Sequence, residues 1–378
     1  MRIGLNAHLL ASQASYRAAG IHSYIANSLA HLPEAAPSNW KLTAMVGAAN
    51  DWTFEGIDLQ RAPVDTQNPA RRVLWEQIAQ PFALSQFDLY HAMAFVAPAL
   101  PLRVPFVVTI YDLSFVHYPQ LLSRARRAYL HTLTAHTCRR ATRVIAISQS
   151  TADDLARTLD VEPSRIDIAP PGTDFTKFKP LPPESIAAFR TQHNLPDVFW
   201  LFVGTLEPRK NLPTLLRAYA QLPASARPLL VLAGGRGWDF AEIFETIQQN
   251  KLEQDVRLTG FVPSADLPLW YNSASTFIYP SVFEGFGMPV LEAMACGTPV
   301  IVSNVSSFPE VVRGTDTLTV PPLDVEAWVA ALTTALDDAD WRKQAGESGL
   351  KMAKRFTWAR TAQATVESYL KALGTEAQ

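Results

Sequence analysis

The sequence predicts two doubly wound α/β domains, and two observations favour this fold. The chain has 378 residues, which exceeds the size at which a single hydrophobic core usually stops growing. Short apolar runs bounded by turn residues alternate with longer amphipathic stretches, and this alternation is typical of βαβ units around a parallel sheet. Ligands of such sheets sit at the carboxyl ends of the strands. We therefore expect an active site in a cleft between the domains.

The first half of the chain contains the elements of one such sheet. Strands are predicted at residues 1–6, 42–46, 89–91, 106–110, 144–147 and 166–169. Helices are predicted at residues 21–32, 71–83, 124–140 and 151–159. We assign the N-cap of the last helix to Ser150, since serine favours this position.

A proline-rich segment at residues 170–183 interrupts the alternation, because proline neither continues a helix nor pairs in a central strand. A second alternation follows, with strands at residues 200–203, 229–233, 256–258, 276–279 and 299–302. Its helices are predicted at residues 212–221, 240–249, 267–274 and 289–296. We place an N-terminal domain at residues 1–175 and a C-terminal domain at residues 176–355. The segment 356–378 is predicted to form a helix that packs back against the N-terminal domain.

Composition excludes several classes of protein. Hydrophobic residues make up 48% of the chain and charged residues 18%, with a formal net charge of −2. This balance favours a soluble globular protein and argues against nucleic-acid binding through bulk charge. Cys138 and Cys296 are the only cysteines and lie in predicted helices without CxxC spacing, so a disulfide scaffold or a zinc site is not expected. With no signal-peptide pattern and no run of about twenty apolar residues, we expect a cytoplasmic protein.

The stretch at residues 279–300 is the most informative about chemistry. A strand is predicted to end at Tyr279, and a loop with Gly285 and Gly287 leads into a helix that opens near Pro289. The unpaired N–H groups of such a helix start suit an anionic diphosphate. The glycines let the backbone approach a ligand closely.

This stretch also carries two carboxylates, Glu284 in the loop and Glu292 inside the helix. Their different positions suggest different tasks, one carboxylate meeting a sugar and the other accepting hydrogen bonds from ribose hydroxyls. A solvent-exposed helix residue is the alternative for Glu292, and its apolar sequence neighbours argue against it.

Here the chain resembles family 4 glycosyltransferases of the retaining type, which have the GT-B fold. Glu284 and Glu292 match the E-x7-E motif of that family. The resemblance implies two Rossmann-like domains that face a cleft, a nucleotide-sugar donor held mainly by the C-terminal domain, and transfer of a hexosyl unit with retained anomeric configuration.

A second match lies at residues 202–211, which resemble the family segment whose lysine binds the donor diphosphate. Arg209 and Lys210 would add full charges to the partial charge of a helix start. A solvent-facing basic pair is the alternative. Thr205 stands where many relatives carry arginine, so Arg209 is expected to take over part of the phosphate contact.

The resemblance implies further donor-binding positions. They are Gly20, Gly204, Phe261, Val262, Gly285, Phe286 and Gly287. Simple turn or strand-end roles remain alternatives for Gly20 and for residues 260–262. In the N-terminal domain, Asp112 keeps the acidic position of a family segment that is expected near the reacting sugar, while Tyr111 replaces the common histidine. His117 could approach the same site or be a surface histidine.

A basic helical segment suggests one more partner. An apolar stripe that includes Tyr129, Leu130 and Leu133 is surrounded by the arginines at residues 124, 126, 127, 139, 140 and 143. Such a face suits peripheral contact with an anionic membrane, as in family members with lipid-linked acceptors. A solvated helix is the alternative.

The expected enzyme is thus a hexosyltransferase that acts on a saccharide or lipid-linked acceptor in polysaccharide synthesis. Resemblance to bacterial mannosyltransferases favours GDP-mannose as donor, and UDP-sugars remain open. No Asp-x-Asp site is evident, so we expect no metal and no other cofactor. An NAD-dependent oxidoreductase is disfavoured because G-x-G-x-x-G is missing after the first strand. A non-catalytic sugar-nucleotide-binding protein is the other alternative.

Overall fold

The computed structural model describes residues 1–10, 19–48 and 50–375. The chain forms two compact units. The first consists of Met1–Gly172 together with Thr357–Gln378, and the second is Thr173–Phe356. The last three residues of the predicted C-terminal segment, 376–378, lie outside the described residues.

Strands and helices alternate along both units. The strands are β1 (Arg2–Asn6), β2 (Lys41–Val46), β3 (Ile57–Arg61), β4 (Leu89–Ala92), β5 (Phe106–Ile110), β6 (Arg143–Ala146), β7 (Ile166–Ile168), β8 (Phe199–Val203), β9 (Leu229–Ala233), β10 (Val256–Gly260), β11 (Thr276–Tyr279), β12 (Val300–Ser303) and β13 (Leu318–Val320). The α-helices are α1 (Ala19–Ala35), α2 (Pro69–Leu74), α3 (Gln80–Ala83), α4 (Ser114–His117), α5 (Arg124–Arg140), α6 (Gln149–Leu159), α7 (Pro183–Gln192), α8 (Leu212–Tyr219), α9 (Ala241–Gln249), α10 (Leu267–Ser273), α11 (Met288–Ala295), α12 (Phe308–Val311), α13 (Val325–Asp337), α14 (Ala339–Ala353) and α15 (Trp358–Ala372).

Each unit is built on one parallel sheet, which confirms the predicted fold class. The strand order is β3-β2-β1-β4-β5-β6-β7 in the first unit and β10-β9-β8-β11-β12-β13 in the second. Central strands such as β5 are buried along their whole length, as expected for a sheet covered by helices on both faces. The strand order reverses between β1 and β4 and again between β8 and β11, so each sheet has a switch point where ligands bind in doubly wound folds.

The C-terminal helix α15 completes the first unit, as predicted. It packs along α1, and Val366 and Tyr369 belong to the core cluster that includes β1 residues. The hydroxyl of Tyr369 lies 2.6 Å from Nδ1 of buried His91, and Lys371 pairs with Asp167 at 2.7 Å. The last helix is therefore part of the hydrophobic core of the first unit.

Three local predictions differ from the structure. The predicted N-cap Ser150 is wrong, because helix α6 begins at Gln149, two residues before the predicted start, and the Ser148 side chain accepts the N–H of Thr151 at 3.0 Å. Strands β3 and β13 were not predicted, since they lie at sheet edges and carry exposed polar residues. The predicted helix at 71–83 has a π-helical turn at Trp75–Ala79 between α2 and α3.

The buried Tyr369–His91 contact leads to a stability prediction. We expect Tyr369→Phe to destabilise the first unit by about 1–3 kcal/mol, since it leaves a buried imidazole nitrogen without its partner. For a unit of this size the melting temperature should fall by roughly 2–12 °C, measured by calorimetry. Ser85→Ala, which removes an exposed hydroxyl of the same unit, is the control. Equal melting temperatures for both variants would contradict the prediction.

Candidate functional site at the switch point of the second sheet

Two loops meet at the switch point of the second sheet. β8 and β11 are neighbours there, and the loop after each strand carries one half of the predicted diphosphate site. Asn211 joins the two loops: its side-chain amide donates to the carbonyl of Pro280 at 3.1 Å and to that of Pro322 at 2.6 Å. The two loops thereby bring Lys210 and Glu284, which are 74 positions apart in the sequence, into contact.

The loop after β8 presents the basic pair. Pro208–Lys210 forms a 3₁₀ turn, and Asn211 then adopts a left-handed conformation that starts α8. Asparagine tolerates this conformation better than most residues. The turn places Arg209 and Lys210 side by side at the sheet edge with only 15% and 7% of their side chains exposed. The alternative of a solvent-facing basic pair is therefore wrong.

The loop after β11 presents the acidic partner. Gly287 has φ +98° and precedes α11, and a Cβ at this position would lie 2.8 Å from the Phe308 ring. Both the backbone conformation and the space require glycine here. Pro289 lies in the first turn of α11, as predicted. The loop holds Glu284 in place through Ser306, whose hydroxyl accepts the Glu284 N–H at 3.1 Å.

Glu284 bridges both cations. Its Oε1 lies 2.5 Å from Lys210 Nζ and its Oε2 lies 3.0 Å from an Arg209 guanidinium nitrogen. Arg209 also pairs with Glu207 at 2.8 Å, and Lys210 donates to the Tyr279 hydroxyl at 2.7 Å. Two cations and two carboxylates thus form one compact cluster.

The cluster keeps the carboxylate charged. Burial alone would raise the pKa of Glu284, but the charges of Arg209 and Lys210, with a hydrogen bond from Lys210, lower it to about 2. Burial lowers the pKa of Lys210, while the charge of Glu284 opposes this shift. A buried carboxylate that stays ionised beside two cations is suited to orient a ligand and to share those cations with an anion.

Glu292 has a different environment. It lies on α11, and the hydroxyl of buried Tyr271 donates to its Oε2 at 2.8 Å. Burial raises the pKa of Glu292 to about 7, and the Tyr271 hydrogen bond and the charge of Lys177 offset burial only in part. The two carboxylates of the motif therefore differ in protonation near neutral pH.

The other residues predicted from the resemblance lie in varied surroundings. Gly204 follows β8, and a Cβ there would come within 3.1 Å of Phe202. The Phe261 side chain is 61% exposed. By contrast, Phe286 is 3% exposed and packs against Phe356 at 5.4 Å, so its side chain belongs to the interior of the unit.

Predicted residues of the first unit are described separately. Gly20 lies at the exposed start of α1, with open space where a Cβ would be. Asp112 accepts the N–H of Ser114 at 2.9 Å at the start of α4. Tyr111 is buried and donates to the Met93 carbonyl at 2.8 Å, which gives it a role in the core of the unit. His117 pairs with Asp154 at 2.8 Å and is partly exposed.

Sequence reasoning missed three residues of the site, Tyr279, Tyr271 and Glu207. Tyr279 was named only as the end of a strand, although its last-residue position on β11 places it at the switch point. Tyr271 reaches Glu292 from another helix, and no local pattern reveals that contact. Among the described residues, no cluster of three or more His, Cys, Asp or Glu side chains could hold a metal ion.

The described part of the chain also includes no helix long and apolar enough to cross a bilayer.

Comparisons with known proteins identify the family. Residues 185–352 match the family model "Glycosyl transferases group 1", and residues 24–177 match "Glycosyltransferase Family 4". The chain is 34% identical over 294 residues to the O-antigen chain mannosyltransferase B of Escherichia coli, covering 77% of this chain and 76% of that protein.

Two further proteins are similar over different extents. The serotype-specific mannosyltransferase WbdA of Escherichia coli is 32% identical over 240 residues, which are 62% of this chain and 29% of that longer protein. The structure of sucrose-phosphate synthase from Thermosynechococcus elongatus superposes with a TM-score of 0.75 at 22% identity, covering 97% and 98% of the two chains. The chain thus belongs to family 4 of the glycosyltransferases, with the GT-B fold, and is an enzyme of the hexosyltransferase class.

Proposed function

We propose that this enzyme transfers a mannosyl unit from GDP-mannose to a saccharide acceptor, with retained anomeric configuration and without a metal ion. The observation that carries the proposal is the Arg209–Lys210–Glu284 cluster at the switch point. The mannosyl unit is inferred from the similarity to mannosyltransferases of Escherichia coli, and a growing polysaccharide as the acceptor from the O-antigen chain mannosyltransferase among them.

The negative charge that develops on the leaving diphosphate explains why a pair of cations is needed. When the bond between the sugar C1 and the phosphate oxygen breaks, the diphosphate takes the electron pair and gains negative charge. Arg209, Lys210 and the N–H groups at the start of α11 are prearranged to stabilise that charge. The acceptor oxygen bonds to C1, and the proton that it loses balances the charge on the leaving diphosphate.

Glu284 offsets part of the positive charge of Arg209 and Lys210. As an ionised carboxylate it neutralises part of their charge before the donor binds, and it can accept hydrogen bonds from sugar hydroxyls as well. Glu292 lies eight residues further along, and we assign it to the ribose. Its two carboxylate oxygens suit the two vicinal hydroxyls of ribose when it is ionised.

Glu284→Gln and Lys210→Ala should each lower turnover by roughly 10²–10³-fold, because each removes an interaction with the reacting sugar or with the leaving group. Glu347→Gln and Lys343→Ala, at exposed positions of α14, are the matched controls. Rates are measured with GDP-mannose, and circular dichroism checks the fold.

The affinity of the same two variants for GDP shows which of the two side chains binds the diphosphate. Glu284→Gln should bind GDP at least as tightly as the parent enzyme, since one anion fewer competes for Arg209 and Lys210, whereas Lys210→Ala should bind it less tightly. Calorimetric titration measures both. Near-parental turnover in both variants would refute the site assignment.

Ionisation of Glu292 should lower the free energy of unfolding at high pH. Its pKa in the folded protein is about 7, above the ordinary value of 4.5, so the unfolded chain ionises it more readily and the folded state is penalised as pH rises through that window. Glu292→Gln keeps an acceptor for Tyr271 and removes the penalty. We expect a gain of about 1–3 kcal/mol near pH 8 and little gain near pH 5.

Thermal unfolding at both pH values measures this gain, with Glu347→Gln as control. Donor affinity of Glu292→Gln should fall in the same samples. If the gain of Glu292→Gln over the parent enzyme were no larger near pH 8 than near pH 5, Glu292 would not be held in a desolvated environment.

Metal independence has a direct test. Turnover should be unchanged in EDTA, since Arg209 and Lys210 supply the positive charge that a divalent ion would otherwise provide. Loss of turnover that magnesium restores would contradict this. A panel of GDP- and UDP-sugars in the same assay measures donor choice, and preference for a UDP-sugar would replace GDP-mannose in the proposal.

A further inference from the structure

The switch point of the first sheet carries a polar cluster of its own. β1 and β4 are neighbours there, and the strand order reverses between them. Asn6 is the last residue of β1, and His8 follows it in the loop at the carboxyl end of the strand. Doubly wound sheets bind their ligands at this position. The residues around His8 are therefore a candidate site within the first unit.

The ring of His8 is buried without a hydrogen-bond partner. The residue is 3% exposed, and neither ring nitrogen makes a hydrogen bond to any described residue. The backbone is fixed, since the His8 N–H donates to Asn6 Oδ1 at 3.1 Å and the His8 carbonyl accepts the Thr66 hydroxyl at 3.2 Å. Buried polar groups nearly always have a partner. A ligand could supply the partner that this ring lacks.

The imidazole of His8 is neutral at physiological pH. Burial and the charge of Arg72 lower its pKa to about 4, and the nearby Val46 carbonyl offsets this shift only in part. A neutral imidazole has one N–H donor and one nitrogen acceptor. It is suited to a hydroxyl group, which both donates and accepts.

Glu76 is the acid of the cluster and lies on the π-helical turn Trp75–Ala79. Such turns are frequent at functional sites. Oε1 of Glu76 accepts the Asn6 amide at 3.3 Å, and the same amide donates to the buried Tyr90 hydroxyl at 3.1 Å. In the part of the chain that the structure describes, Oε2 of Glu76 accepts no hydrogen bond. One carboxylate oxygen therefore remains for a ligand.

Arg72 is the cation of the cluster. Its charge affects the pKa values of His8, Glu76 and Tyr129, so the guanidinium lies near all three. The residue is half-buried, and within the described ranges its side chain makes no hydrogen bond and no direct ion pair. The N–H donors of the guanidinium are therefore available to a ligand.

This mixture of donors and acceptors favours an uncharged sugar as the ligand. Arg72 donates, the Glu76 carboxylate accepts and the His8 ring does both, which matches hydroxyl groups. A phosphate would be attracted by Arg72 and repelled by the neighbouring Glu76 carboxylate. Repulsion of the wrong ligand is a common source of specificity.

We propose that His8, Arg72 and Glu76 bind the terminal sugar of the acceptor and select an uncharged sugar against one that carries a phosphate. The inference rests on the proposed function, which takes the acceptor to be a saccharide. Arg72 donates to hydroxyl oxygens of that sugar, Glu76 accepts hydroxyl protons, and the His8 ring gains its missing partner. The Asn6 amide holds the Glu76 carboxylate in position.

NMR titration of the whole chain with mannotriose, without donor, tests the proposal. The ring signals of His8, identified with the variant His8→Gln, report on the first unit alone. Glu76→Gln and Arg72→Gln should each weaken mannotriose binding by about tenfold or more, since each removes a hydrogen bond to a charged group. The matched controls Glu55→Gln and Arg71→Gln change exposed residues of the same unit and should bind like the parent enzyme. At pH 8 the Glu76 carboxyl, with a pKa raised by burial to about 7, is mostly ionised.

Mannose 6-phosphate separates the roles of the two side chains. The parent enzyme should bind it more weakly than mannose. Glu76→Gln should bind it about tenfold more tightly than the parent enzyme does, because the repelling carboxylate is gone. Arg72→Gln should show no such gain.

Transfer kinetics provide a second readout. In Glu76→Gln and Arg72→Gln the KM for mannotriose should rise about tenfold while kcat changes little, since these contacts bind the acceptor equally in the ground state and the transition state. The GDP affinity and the melting temperature of both variants should match those of the parent enzyme, so that weaker acceptor binding is not lost folding.

The inference is wrong in any of three cases. The His8 signals of the parent enzyme could fail to respond to mannotriose. Both variants could bind mannotriose as tightly as the parent enzyme. The parent enzyme could bind mannose 6-phosphate more tightly than mannose. These titrations use no donor, so a lack of mannosyl transfer from GDP-mannose would refute the proposed function while the titrations still decide the inference.

Discussion

The bridge from Glu284 to Arg209 and Lys210 is the interaction on which the second unit's site depends. Each of these groups is largely buried, and a buried charge without a partner is strongly destabilising. The loops after β8 and β11 can therefore approach only with opposite charges. The switch point of the sheet brings the two loops together, and the ion pairs offset the free-energy cost of burying the charged groups there.

The general architecture could be predicted from sequence because central parallel strands are continuous apolar runs. β8 and β9 are examples. Edge strands such as β3 expose polar side chains and resemble loops. The helical segment Pro69–Ala83 shows another limit, since its Leu74 and Phe82 are 61% and 78% exposed. Periodicity identifies an apolar face without saying whether that face points to the core or to solvent.

The candidate site could be predicted in part for a similar reason. Arg209, Lys210 and Glu284 lie in contiguous motifs whose loops follow strands, so their grouping follows from topology. Whether Phe286 contributes a side chain or only backbone depends on packing against Phe356, which is a contact 70 residues away. The Tyr271–Glu292 hydrogen bond likewise joins two helices, and it raises a question of protonation that residue identity alone does not answer.

The place of α15 has a consequence for biosynthesis. Tyr369 and Val366 fill the core around β1, yet they are translated after the entire second unit. Domains generally fold as they emerge from the ribosome, N-terminal domain first. Here part of the core of the first unit stays uncovered until α15 has been translated. The Thr173–Phe356 unit is made later but contains all of its own elements. Nascent chains stalled before residue 358 would therefore expose apolar surface that chaperones recognise.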